Sequence, residues 1–413
     1  MIGKKYNRGR RYLLQGLAGF GAANLANLTL GCRSRLQSSE SNIDSVFDND
    51  TQGDAGASLR QIAASKGIIY GGFPQLEYSK FILDTEFKNI FIREYGLLVG
   101  GFFGVTVGPF EGNTYDFQQT EPFFDFAVAN DLAFRGHPII WNEYNSAWLV
   151  EKFKASDTTT AEIDRIFVDR IKTLTKRYAG KVHSWDVVNE AISVDDGRKD
   201  NLKDTAKSGI RGEIYPAWLN YLGPDYIERA FRIAHEVDPQ AILTYNDNGL
   251  VYSNIFGSSW EGKRRTAVLK LLERLKAKGT PIHALGIQSH LEGRRIRDFD
   301  ENKFSQFLSD VASMGLKIII SELDVGDRQL PRDLTARDRQ VAEAYYQYLS
   351  VVLDQPAVIA VISWGLSDRY TWLSDFSPRD DKAAVRPLLF DREYLPKPAW
   401  KAVARALKEA PER

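Results

Sequence analysis

From residue 57 onward, short apolar segments rich in β-branched residues alternate with longer segments of helical period, and the pattern recurs eight times. The predicted strands are Gly67–Phe73, Tyr95–Gly101, Ala133–Trp141, Val182–Asn189, Ala241–Asn246, His283–His290, Leu316–Asp324 and Val358–Gly365. Between them lie helical stretches such as Ala161–Tyr178, Asp225–Glu236, Gly262–Lys278 and Ala336–Leu353. The last places Val341, Ala344, Tyr345, Tyr348 and Val352 on one side, as an amphipathic helix requires. Eight such units predict an α/β fold, a (β/α)8 TIM barrel forming a single catalytic domain over residues 57–408. A doubly wound sheet is the alternative, but Gly71-Gly72 falls short of a phosphate-binding fingerprint after the first strand.

A barrel of this kind carries its chemistry at the C-terminal ends of its strands. The polar and aromatic residues that strand packing does not need collect there: Trp141-Asn142, Asn189-Glu190, Asn246-Asp247, Gln288-Ser289-His290, Glu322 with Asp324, and Trp364. Glu190 and Glu322 end the fourth and seventh strands, on opposite sides of the barrel mouth. A carboxyl pair so placed is the minimum apparatus for glycosidic cleavage, one protonated to donate to the leaving oxygen and one ionised. Adjacent residues on a regular strand face opposite ways, so Asn189 and Glu190 share the cleft only if the strand kinks or ends there. Gln288 and His290 are expected to point into the mouth together, and a His290–Asp324–Glu322 network to orient the strand-seven carboxylate. Trp148, Trp364 and Trp372 are candidates for stacking on pyranose faces, whereas Trp185 reads as core. His137 reads equally as an imidazole bonded to backbone.

Lys+Arg and Asp+Glu number 54 each, and the resulting zero net charge argues against nucleic acid as a partner. The single cysteine, Cys32, excludes an intrachain disulfide and a cysteine-based metal site. Residues 1–32 read as a signal peptide: Lys4, Lys5, Arg8, Arg10 and Arg11 precede a mildly apolar stretch, and Arg10-Arg11 resembles a twin-arginine export signal. Gly31-Cys32 resembles a lipoprotein cleavage site, so the protein is expected to be exported, either free or anchored in the envelope through a lipidated Cys32. Residues 33–56 are polar and mostly acidic, as a flexible linker would be.

The segment from Ser184 to Ala191, Ser-Trp-Asp-Val-Val-Asn-Glu-Ala, resembles the acid/base motif of the family-10 glycoside hydrolases, the endo-β-1,4-xylanases. The segments 287–291 and 321–325 resemble the same family's strand-six and strand-seven signatures, as do Arg135-Gly136-His137, Tyr245-Asn246-Asp247 and the run 364–372. The resemblance implies a retaining endo-acting enzyme on xylan, with Glu190 as acid/base, Glu322 as nucleophile and no cofactor. It also implies that Asn189 bonds the 2-hydroxyl of the sugar being cleaved, with Gln288, His290 and the three tryptophans around the substrate. Two departures stand out. The family's Glu-Asn pair and Lys after strand two, which grip the non-reducing-side sugar, are replaced by residues 100–105, Gly-Gly-Phe-Phe-Gly-Val, and a family histidine is replaced by Asn142. These changes predict an altered glycone preference; a related β-1,4-glucanase and a non-catalytic polysaccharide-binding barrel are the rival readings.

Overall fold

The computed structural model describes residues 56–413 apart from 195–198, 209–212 and 253–259. The leader, Cys32 and nearly all of the linker therefore lie outside the described residues.

All eight predicted strands are present: β1 Ile69–Gly72, β2 Leu97–Gly101, β3 Ala133–His137, β4 Ser184–Asn189, β5 Ile242–Asp247, β6 Ala284–Ile287, β7 Lys317–Gly326 and β8 Val358–Ser363. Each pairs in parallel with its neighbours in chain order, and β8 pairs with β1 to close the barrel. Strands buried on both faces read as continuous apolar runs, as Ile318-Ile319-Ile320 of β7 does. Val99, Ala284, Ile319, Ala360 and Ile362 fill part of the interior.

The outer helices follow the predicted pattern. Thr160–Arg177, Tyr226–Val237, Trp260–Ala277 and Leu334–Val352 match the four candidates to within a few residues. The last starts where Asp333 caps the Ala336 N–H at 2.8 Å, and its five predicted core residues are all buried.

Two predicted strands are each split. The third breaks after His137 and resumes as Ile140–Trp141, paired with β4; the sixth breaks after Ile287 and resumes as His290–Glu292, paired with β7. Both breaks lie at the mouth. Ser289 has φ 62°, and that left-handed turn ends the sixth strand's regular run. An antiparallel hairpin, Thr205–Ser208 with Glu213–Pro216, lies in the loop after β4.

Candidate active site

The strand ends surround a cavity of about 930 Å³ into which Glu190 and Glu322 both project. β4 ends at Asn189, and Glu190 adopts φ 54° with its N–H donating to the Asn246 carbonyl at 2.9 Å. This is the kink that the sequence demanded, and it lets Asn189 and Glu190 face the same space. A bulky non-glycine residue in the left-handed region is strained, and such strain persists where its surroundings hold it.

The carboxylates are joined by a chain of amide hydrogen bonds. Asn246 Nδ2 donates to Glu322 Oε1 at 2.7 Å and to Asn189 Oδ1 at 2.9 Å. Gln288 Nε2 donates to Glu190 Oε1 at 2.7 Å and lies 3.4 Å from the same Asn189 oxygen. The second oxygen of Glu190 accepts from Trp141 Nε1 at 3.2 Å. His290 bridges Asp324 Oδ1 at 2.9 Å and Glu322 Oε2 at 3.2 Å, so the expected network is present. Asn189 Nδ2 is buried with no hydrogen-bond partner among the described residues, which leaves an unused donor beside the two carboxylates.

Charge is unevenly spread around the site. Burial pushes the Glu190 carboxyl up, but nearby Lys203, the Gln288 bond, Arg264 and Asn248 together hold it below the usual carboxylate range. Burial opposes a charged His290, yet Asp324 and Glu322 outweigh it and raise the imidazole to about 10. His137 is raised in the same way by Glu322 and Asp186 against its burial. Its Nδ1 lies 2.9 Å from Asp186 Oδ2, and Asp186 also pairs with Arg135, so a side-chain network rather than backbone holds this ring.

Trp364 and Trp372 line the cavity as expected, and Trp372 Nε1 donates to Asp324 Oδ2 at 2.8 Å. Two predicted contacts do not form part of its wall. Asn142 is buried and turned away, because pairing of Ile140–Trp141 with β4 brings Trp141 into the cavity instead. Trp148 sits on helix Ala147–Lys154 with Lys152 Nζ 5.9 Å from its ring centre, outside the cavity lining. Phe73, Phe103, Tyr144, Lys203 and Arg264 line the cavity without having been singled out. Phe73 stood at the end of a predicted strand and was open to the same argument as Trp364; Lys203 and Arg264 carried no such mark.

The sequence model of Glycosyl hydrolase family 10 matches residues 86–406. The chain belongs to this family. It is 32% identical over 352 residues to Endo-1,4-beta-xylanase B of Thermotoga neapolitana, covering 84% of this chain and 91% of that one. It is also 32% identical to an endo-1,4-beta-xylanase of Geobacillus stearothermophilus, over 71% of this chain and 83% of the relative. Xylanase 10B of Thermotoga petrophila RKU-1, solved in complex with xylobiose, superposes with TM-score 0.72 at 29% identity, covering 86% of this chain and 99% of that one. This family-10 barrel is therefore a glycosyl hydrolase.

Proposed function

We propose that this glycosyl hydrolase is an endo-β-1,4-xylanase acting with retention, with Glu190 as acid/base and Glu322 as nucleophile. The observation that carries the reading is the amide chain Glu322–Asn246–Asn189–Gln288–Glu190 across one cavity, in a chain whose relatives are named xylanases. Glu190 gives its proton to the glycosidic oxygen while a Glu322 oxygen attacks the anomeric carbon, forming a glycosyl ester and releasing the leaving chain. Glu190, now ionised, takes a proton from water as that water attacks the same carbon; the ester breaks and Glu322 is restored. We also infer export, since a plant cell-wall polysaccharide is met outside the cell that digests it, and the basic leader supports this.

Hydrolysis of xylan, cellulose and mixed-linkage glucan, with anomers followed by NMR, tests the substrate and the stereochemistry. Xylan should be cleaved fastest, with the β-anomer formed first; an α-anomer would remove the nucleophile assignment. Glu190→Ala and Glu322→Ala should each lower the xylan rate by at least ~10²–10⁴-fold with the fold intact by circular dichroism.

A further inference from the structure

The general acid must stand beside the departing group, and Glu190 shares its side of the cavity with Lys203 and Arg264. The glycone sugars then lie on the opposite side, against the ends of β1 and β2 and next to His137, whose Nε2 is 3.9 Å from Glu322 Oε1. Much of that wall is aromatic. Phe103 lies 5.7 Å from the His137 ring and 6.1 Å from Trp141, while Phe73 stacks on Trp364 at 4.4 Å. Hydrogen bonds from Phe102 N to His137 O (2.6 Å) and from Val105 N to Tyr144 O (2.8 Å) fix the backbone on either side of Phe103.

Three polar side chains beside Phe103 and Phe73 are engaged by the protein, while Glu77 and Gln119 are exposed polar residues of the same lining. Gln75 donates to the Trp364 carbonyl and accepts from the Trp372 N–H, Thr106 donates to Phe103 O at 3.1 Å, and Thr120 donates to Gly101 O at 2.9 Å. A pocket built to hydrogen-bond a hydroxyl rejects substrates that lack it by about 10⁴–10⁵-fold, whereas an apolar wall discriminates only weakly. A sugar lying on Phe103 therefore loses no hydrogen bond from Gln75, Thr106 or Thr120 when its hydroxyls are capped by an ester, and the added methyl group gains apolar contact with the ring.

We propose that the glycone end of this cleft accepts a xylosyl residue acetylated on its ring hydroxyls, with Phe103 as the specificity-determining side chain. The inference rests on the xylanase reading above. The test compares kcat/KM for 4-nitrophenyl β-xylobioside with that for the same compound diacetylated at O2 and O3 of its distal xylose.

For the unmodified enzyme the acetylated compound should be hydrolysed within about threefold of the other, or faster. Phe103→Gln should lower the acetylated-to-unsubstituted ratio by about tenfold, and Phe103→Leu, which keeps that side chain apolar, should preserve it. The ratio is insensitive to damage that affects both substrates alike. Slowing of more than about tenfold on acetylation, or an unchanged ratio in Phe103→Gln, overturns this inference alone. Hydrolysis of neither compound overturns the xylanase reading and this inference with it.

Discussion

Glu190 carries two opposed demands. As the proposed acid it must hold a proton at the working pH, yet its carboxyl is held low by a cation that belongs to neither β4 nor β7. Lys203 comes from the loop after β4 and pairs with Glu143 at 3.3 Å. The proton-bearing form of Glu190 is lost as pH rises through its depressed pKa, so activity should peak on the acid side and fall early toward alkali. Lys203→Met removes a positive charge, raises the carboxyl pKa and should move the alkaline limb of the kcat/KM profile to higher pH; an unmoved limb would mean that Lys203 does not set it. Burial and a carboxylate partner alone would give the opposite sign. Burial is indeed the largest influence, but the cations that outweigh it come from a loop and a helix with no strand-end signature. His290 supplies a second titration. Its pKa is raised to about 10 from an unfolded value near ~6.5, so its contribution to stability is complete below the lower figure and is lost as pH climbs through the higher. Thermal melts between pH 6 and 10 should show that loss, and His290→Asn should flatten it.

Strands were legible because each is a short apolar run that no surface element would carry, and the site was legible because polar residues at their ends have no packing role. What the period of two could not show was where each strand stops being regular. Gln288 and His290 were placed together by strand alternation, yet the left-handed Ser289 between them breaks the strand, and the two side chains converge because His290 pairs anew with Asp324. The register of β7 against β8 likewise shifts between Ile320 and Leu323, next to Glu322. Such breaks rest on tertiary pairing, and neither Glu190 nor Ser289 is a residue that announces a positive φ. The strands also make room for the site. A Cβ built at Gly286 of β6 would collide with the Asn246 side chain, the one that binds both Glu322 and Asn189. Gly286→Ala should therefore lower kcat on xylo-oligosaccharides by about 10²-fold while costing only ~1–3 kcal/mol of stability. A variant that keeps full kcat would show that Asn246 does not need its present position.

At the scale of the molecule, the barrel is closed twice. Its sheet closes where β8 pairs with β1, and its outer layer closes where the last helix, Pro398–Glu409, packs against both Leu59–Ser65 and Leu334–Val352. Ala402, Val403, Ala406 and Leu407 are buried in that seam, and Trp400 Nε1 donates at 3.1 Å to Glu94, which also accepts the Leu59 N–H at 3.0 Å. Glu94 thus ties the first and last helices of the barrel to one carboxylate. Losing the final helix therefore uncovers the faces of Leu59–Ser65 and Leu334–Val352 together. Removing residues 398–413 should lower Tm by at least ~10 °C or leave the protein insoluble, because several apolar side chains worth ~1.5–3 kcal/mol each lose their cover. Removing residues 1–55, which the sequence assigns to leader and spacer, should leave Tm within about 2 °C, as that assignment predicts. Differential scanning calorimetry on the two truncations distinguishes these cases, and a large loss of stability in the N-terminal one would extend the catalytic domain beyond the boundary drawn at residue 57.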